Sequence, residues 1–402
     1  MITRIITLII SIQFLPSKFY SIDVKIEFWD KQRKGTNYFN KVPSEAWFSD
    51  AKDLGVEWVR LTYDKWDAAY HDFLIGDASS YQGLIEEDLI KLKEVIDWAE
   101  KYDIRLVITP LSLPGSRYRQ NNNFQWDLRL WDSFEYWEQA IQFWIDLVVE
   151  LKGYDNVVAY NIINEPFPEM GMGVREHVRP GEVSRFLDWY DKIKGTPRDI
   201  YQFYKKIISS IKKIDSDAVI MLDAGWYGQP GAFCYWPEAF NDQNILYSFH
   251  MYEPYEFTSN KNFKERNNYV YPGNILFGDD TIYWDKKTIA AYFKPFLNWA
   301  KVNGIPSNRI VAGEFGCMRK NEGASHYLND IIDFLNQNMF HWAFYSFRED
   351  EWDGYDYELG KEALGWKYWQ AIEKGENPRI PRKDNPLFEI IKHEFENIKS
   401  KN

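Results

Sequence analysis

Cysteine is nearly absent from this chain of 402 residues, with only Cys234 and Cys317 present. Two thiols in so long a chain make no disulfide framework, so both are read as free, with a single bridge as the alternative. Histidine is scarce too. The six are scattered without metal-ligand spacing, so neither a metal nor another cofactor is expected. Basic charge is in deficit: a formal net charge of −12 offers no basic footprint for nucleic acid and disfavours an anionic membrane surface. No G-x-G-x-x-G follows the first predicted strand, which leaves a dinucleotide fold without support. No linker rich in Pro, Ser or Thr divides the chain. Beyond the N-terminus, charges interrupt every apolar run, so no later stretch reads as a transmembrane helix.

The N-terminus reads as a secretory signal. Arg4 supplies a positive start, and Ile5 to Leu15 is an apolar run too short to span a bilayer comfortably. Cleavage is expected near Ser21, although Phe19 is larger than such a site prefers; an uncleaved anchor is the alternative. Residues 1–21 are therefore assigned to a signal peptide and 22–402 to one domain, secreted or periplasmic; a monomer is expected.

What the chain has in abundance is aromatic rings. At 18% of residues they exceed what core packing alone explains and suit a cleft that stacks the flat apolar faces of sugars. Strand and helix patterns alternate about eight times, which implies a parallel sheet with helices outside it. The first nine residues of the mature chain, "IDVKIEFWD", alternate and predict a short strand over the barrel floor. The eight main strands are predicted in "KGTNYFN", "VEWVRLTY", "IRLVITPL", "VVAYNIINEP", "AVIMLDAGW", "NILYSFHMY", "RIVAGEFG" and "FHWAFYSF". Closure into a (β/α)8 TIM barrel with long βα loops is the expected fold. The stretch from Phe167 to Thr196 is a long insertion rich in Gly and Pro, and loops of that length are usually functional or disordered. The connection after the sixth strand is read as a polar loop.

The ends of these strands collect the chemistry. Arg60 ends the second strand, Asn164 and Glu165 end the fourth, His250 and Tyr252 end the sixth, Glu314 ends the seventh, and Trp342 lies in the eighth. Pro166 has no N–H for a ladder, so the fourth strand must stop with its amide and carboxylate at the tip. In a parallel barrel all these tips face one mouth. Two carboxylates there fit retaining glycoside hydrolysis, one as acid/base and one as nucleophile. Arg60, His250 and Tyr252 are candidates to hold the nucleophile, Asn164 to bind the sugar 2-OH, and Trp342 to form a floor under the sugar. Each has a plainer reading, as a strand-end ion pair, a satisfied core histidine or barrel packing. Trp226 is assigned equally to cleft or core. The acidic run "REDEWDGYDYE" with Trp352 is read as a solvated loop.

Taken together, "NIINEP", "HMY" and "GEFG", in that order with Glu165 and Glu314 149 residues apart, resemble glycoside hydrolase family 5, the cellulase-type barrels of clan A. The arginine of "WVRL" and the tryptophan of "FHWAFYSF" match further family positions. The resemblance covers nearly the whole mature chain. It implies that Glu165 is the acid/base and Glu314 the nucleophile. One departure stands out. Family members carry a histidine at the end of the third strand, whereas this chain reads "TPLSLPG", with Leu111 near that place and Ser112 or Thr109 as substitutes. The implied activity is hydrolysis of a β-linked oligo- or polysaccharide, foremost as an endo-β-1,4-glucanase. The alternatives are a mannanase, a xylanase or a glycolipid-glycan hydrolase on the same scaffold, and a barrel that binds glycans without cleaving them.

Overall fold

The computed structural model describes residues 25–177, 183–374, 376, 382 and 384–399. The expected signal peptide, 1–21, lies outside them. Among the described residues ten strands form: β1 (Lys34–Tyr38), β2 (Trp58–Leu61), β3 (Arg105–Ile108), β4 (Val157–Asn161), β5 (Ile220–Asp223), β6 (Ile245–Met251), β7 (Gly273–Phe277), β8 (Asp280–Trp284), β9 (Ile310–Phe315) and β10 (His341–Phe344). Eight of them close a barrel in the order β1-β2-β3-β4-β5-β6-β9-β10. Every neighbouring pair is parallel, including β10 back onto β1 through Lys34↔Trp342. The expected (β/α)8 barrel is thus the observed one.

Strand alternation sorts the side chains into two cores. Inside the barrel, Trp58, Val107, Val158, Val219, Leu246, Val311 and Ala343 pack in layers. Outside it, the other face of each strand meets the apolar stripes of the surrounding helices. The helix Phe134–Leu151 shows the pattern: Trp137, Ala140, Ile141, Trp144, Leu147, Val148 and Leu151 face the sheet. Ser133 caps it by accepting the Glu135 N–H.

Three expectations change. Lys25–Asp30 is a 3-10 helix, not a strand. A closed barrel offers no free edge for another strand to join, so the segment seals the floor with side chains instead. Trp29 sits edge-on to Trp58, and its indole N–H donates to the Val158 carbonyl at 3.3 Å. The loop after β6 carries the β7–β8 hairpin, turned at Gly278 and Asp279 with Phe277 paired to Asp280. A Gly-Asp turn between "NILF" and "TIYW" is a recognisable hairpin signal that the surrounding polar residues obscure. The insertion after β4 contains an amphipathic helix, Val183–Ile193, which buries Phe186, Trp189, Tyr190 and Ile193. Among the described residues no helix is long and apolar enough to cross a membrane.

Candidate active site

The C-terminal rim of the barrel gathers the predicted polar residues around one arginine. Arg60, on β2, is completely buried. Its Nη1 donates to Glu314 Oε1 at 2.6 Å, its Nη2 to Asn164 Oδ1 at 2.7 Å and to Asp223 Oδ2 at 3.1 Å, and its Nε to Asn161 Oδ1 at 2.9 Å. One planar fork therefore ties together the tips of β4, β5 and β9. Its burial is tolerable because every direction of the guanidinium meets an acceptor.

Glu314 ends in a narrow slot. Tyr252 donates its hydroxyl to Oε2 at 2.8 Å, opposite the Arg60 contact. Burial raises the Glu314 carboxyl above its ordinary value and Glu165 adds to the rise, while His250, Arg60 and Tyr252 pull the other way. Glu165 is more open, with 32% of its side chain exposed against 6% for Glu314. Its backbone is unusual. The residue before a proline is normally pushed to extended geometry, yet Glu165 has φ +49. The surroundings impose this: Asn164 N–H donates to the Pro110 carbonyl, Glu165 N–H to Asp223 Oδ2 at 3.2 Å, and Tyr227 N–H to the Pro166 carbonyl. Left-handed geometry at a bulky side chain is costly and concentrates at functional sites.

His250 links the carboxylates. Its Nδ1 lies 2.9 Å from Glu165 Oε1 and 3.8 Å from Glu314 Oε2, and its Nε2 lies 3.3 Å from Asp223 Oδ2. Burial alone would lower its pKa, but Glu314 and Asp223 outweigh that and raise it to about 10. The ring is held as an imidazolium. Asp223 shows the converse. Burial would raise it, and His250 and Arg60 bring it down to about 2. Space for the ring comes from Gly313, where an added Cβ would stand 2.6 Å from Ser248 Oγ and 3.2 Å from His250 Nε2. One atom each of Glu165, His250 and Glu314 fall within 4.8 Å of one another. That spacing would admit a cation, but Arg60 and the imidazolium already supply positive charge there.

These groups open into a cleft of about 1220 Å³, lined among others by Tyr118, Trp126, Tyr227, Tyr252, Tyr345 and Trp352. Arg60, Asn164, Glu165, His250, Tyr252 and Glu314 are brought together as expected from the sequence. Trp342 is not. Its ring is fully buried on the outer face of the barrel, edge-on to Phe315 and Phe395, and its indole N–H reaches Asn336 Oδ1 at 3.3 Å. It packs the helix layer and offers no floor to a ligand. Side chains alternate along a strand, so the ring that β10 sends toward the mouth belongs to Tyr345, three residues on. The end of β3 differs likewise. Ser112 is buried, with its N–H and that of Leu111 donating to Asp64 and its Oγ accepting the Tyr118 N–H. Tyr118, Arg119, Gln120 and Trp126 are what reach the cleft from the connection after β3. The acidic run after β10 is folded rather than solvated. Glu349 is buried against Lys65 at 2.9 Å and Tyr345 at 2.6 Å, and Trp352 lines the cleft. Trp226 is buried in the core and Cys234 and Cys317 are buried free thiols.

Sequence reasoning passed over Asp223. The signal was present, since "LDAGW" puts an acid at the tip of a predicted strand like the other site residues, but no motif singles it out.

A parallel barrel with two carboxylates, an arginine and a protonated histidine at its mouth defines a protein of the glycoside hydrolase class. The family model described as Cellulase (glycosyl hydrolase family 5) matches residues 25–351, and the chain belongs to that family. Solved structures share the fold at low identity. Endoglucanase Cel5A from the hyperthermophilic Thermotoga maritima is 19% identical, with 82% of this chain and 92% of that one covered and a TM-score of 0.57. The same enzyme in complex with mannotriose is 18% identical, with 82% and 94% covered and a TM-score of 0.56. The cellulose synthase subunit Z from Clostridioides difficile is 18% identical, with 81% and 93% covered and a TM-score of 0.55. No curated protein matches.

Proposed function

We propose that the protein is a retaining glycoside hydrolase that cleaves β-linked glycans, foremost a β-1,4-glucan from within. The observation that carries this reading is the approach of Glu165 and Glu314, with carboxylate oxygens within 4.8 Å. Double displacement needs carboxyls about 5–5.5 Å apart, whereas inversion needs about 6.5–9.5 Å to seat a water between them.

In this mechanism Glu314 attacks the anomeric carbon while Glu165 gives its proton to the departing glycosidic oxygen. The glycosyl-enzyme ester is then cleaved by a water that Glu165 deprotonates, and Glu314 leaves as carboxylate. Charge balance suits those roles. Arg60 and His250 bring positive charge against Asp223 and Glu314, which favours the carboxylate that Glu314 needs for attack. Asn164, held by Arg60, is the proposed hydrogen-bond partner of the sugar 2-OH. Secretion or a periplasmic location belongs to the same proposal, supported by the leader-like segment at 1–21, and a monomeric state is proposed with it.

The fold does not choose the sugar, because specificity lives in loops grafted on it. The test is release of reducing ends from a panel of β-glucans, mannans and xylans. Fastest cleavage of a β-1,4-glucan supports the foremost reading. Faster cleavage of mannan or xylan moves the substrate, and no cleavage of any leaves only a glycan-binding barrel.

A further inference from the structure

Glu169 is a carboxylate that the chemistry above leaves unused. It lies four residues beyond Glu165, has no exposed surface, and accepts two hydrogen bonds: the Trp226 N–H at 2.9 Å on Oε2 and the Tyr235 hydroxyl on Oε1. Burial pushes the carboxyl up to about 7 against those two donors. Its partners define a turn at the tip of β5. Trp226 and Tyr227 are consecutive and both left-handed, at φ +46 and +63. Two bulky residues do not hold that conformation unless their surroundings impose it. Gly225, just before them, has no room for a Cβ, which would fall on Glu169 Oε1 and the Tyr235 hydroxyl. The carboxylate is thus wedged beneath the turn.

The turn's product is the placement of Tyr227. Its ring lies 5.6 Å from that of Trp126 and 5.8 Å from that of Phe167, tilted by 36° and 32°. Trp126 remains 40% exposed and is steadied by the Arg119 guanidinium 4.7 Å from its centroid. All three rings hang from the loops after β3, β4 and β5, the arc that also carries Glu165, and Glu314 sits across the mouth on β9. In the mechanism above, a sugar under attack by Glu314 sends its leaving group toward Glu165, on the arc where Trp126 and Tyr227 line the cleft.

We propose that Glu169 is a positioning residue that locks the Trp226–Tyr227 turn so that Tyr227 presents its ring to the leaving-group sugar. This rests on the glycosidase reading of the same site. A glutamine can replace the carboxylate: its oxygen accepts the Trp226 N–H and its amide donates to the Tyr235 oxygen. An alanine can meet neither.

The experiment compares two substrates of the wild-type protein and of Glu169→Gln, Glu169→Ala and Tyr227→Ala. One is the best-cleaved tetrasaccharide of the glucan, mannan and xylan series. The other is the glycosyl fluoride of the same sugar, whose leaving group has no ring. Glu169→Ala and Tyr227→Ala should each lower kcat/KM on the tetrasaccharide about tenfold, mainly through KM, and leave the fluoride within about twofold. Glu169→Gln should match the wild type on both. Equal losses on both substrates in Glu169→Ala, or a Glu169→Gln protein as impaired as Glu169→Ala, would overturn the proposal. Should Glu169→Ala fail to fold, Tyr235→Phe removes one of the two contacts without removing volume. It should shift KM for the tetrasaccharide alone, and an unchanged KM there overturns the proposal too. A wild-type protein that cleaves neither substrate refutes instead the glycosidase reading beneath it.

Discussion

Raising the pH discharges His250, and its surroundings set how much stability goes with the proton. The unfolded imidazole titrates near ~6.5, and in the folded protein it is raised to about 10. A raised value means the folded state binds the proton more tightly. The contribution is therefore complete below ~6.5, shrinks as pH climbs, and is gone once the pH has passed through the folded value. A shift of that size is worth about 5 kcal/mol, as an upper bound because Glu314 and Asp223 share the same interactions. The perturbation is pH itself, with His250→Gln as the reference that cannot titrate. Urea unfolding from about pH 6 to about pH 10.5 gives the difference between the two proteins at each pH, which cancels the titration of tyrosines and lysines. The wild type should lose up to about 5 kcal/mol relative to the variant across that window. A constant difference would mean that the ring is neutral when folded, and its part in the ion network with Asp223 and Glu314 would fall with it.

Exchanging the two glutamates for alanine separates their roles. Glu314→Ala should lose several orders of magnitude on every substrate, while Glu165→Ala should still be glycosylated quickly by a dinitrophenyl glycoside and then stall. Added azide should release a β-glycosyl azide from Glu165→Ala and an α-anomer from Glu314→Ala; the opposite anomers would exchange the assignments. Asp223→Asn keeps the volume but removes the charge facing Arg60 and His250, and thermal or urea unfolding should register a loss of about 3–5 kcal/mol, with an unchanged midpoint counting against the ion network. Trp342→Phe should lower stability without moving KM, whereas Tyr345→Ala should raise KM; the reverse pattern would return the floor to Trp342.

The barrel and its paired acids were legible because they obey local rules. Apolar β-branched runs followed by a polar residue and a breaker mark a strand tip, and "NEP" and "GEFG" both have that form. The face a residue occupies is harder to read. Trp342 was misplaced because strand periodicity gives two equivalent faces, and only the pairing of β10 with Ala312 of β9 fixes which is outside. Asp223 was missed for a different reason. Its importance comes from contacts with Arg60, Asn161, Glu165 and His250, all at least 27 residues away in the chain, and none leaves a mark on its neighbours. The floor helix Lys25–Asp30 imitated a strand because alternation also suits a short segment with one side against the protein.

That floor also fixes the molecule's polarity for anyone who wishes to attach it to something. Lys25–Asp30 lies beneath the barrel, where Trp29 meets the base of β4. The last helix, Pro386–Lys399, descends the flank until Glu394 reaches Lys34 at the start of β1, 2.6 Å away. Lys25 and Glu394 thus both lie on the side remote from the cleft. A surface, label or fused partner joined at either residue would leave the mouth turned outward.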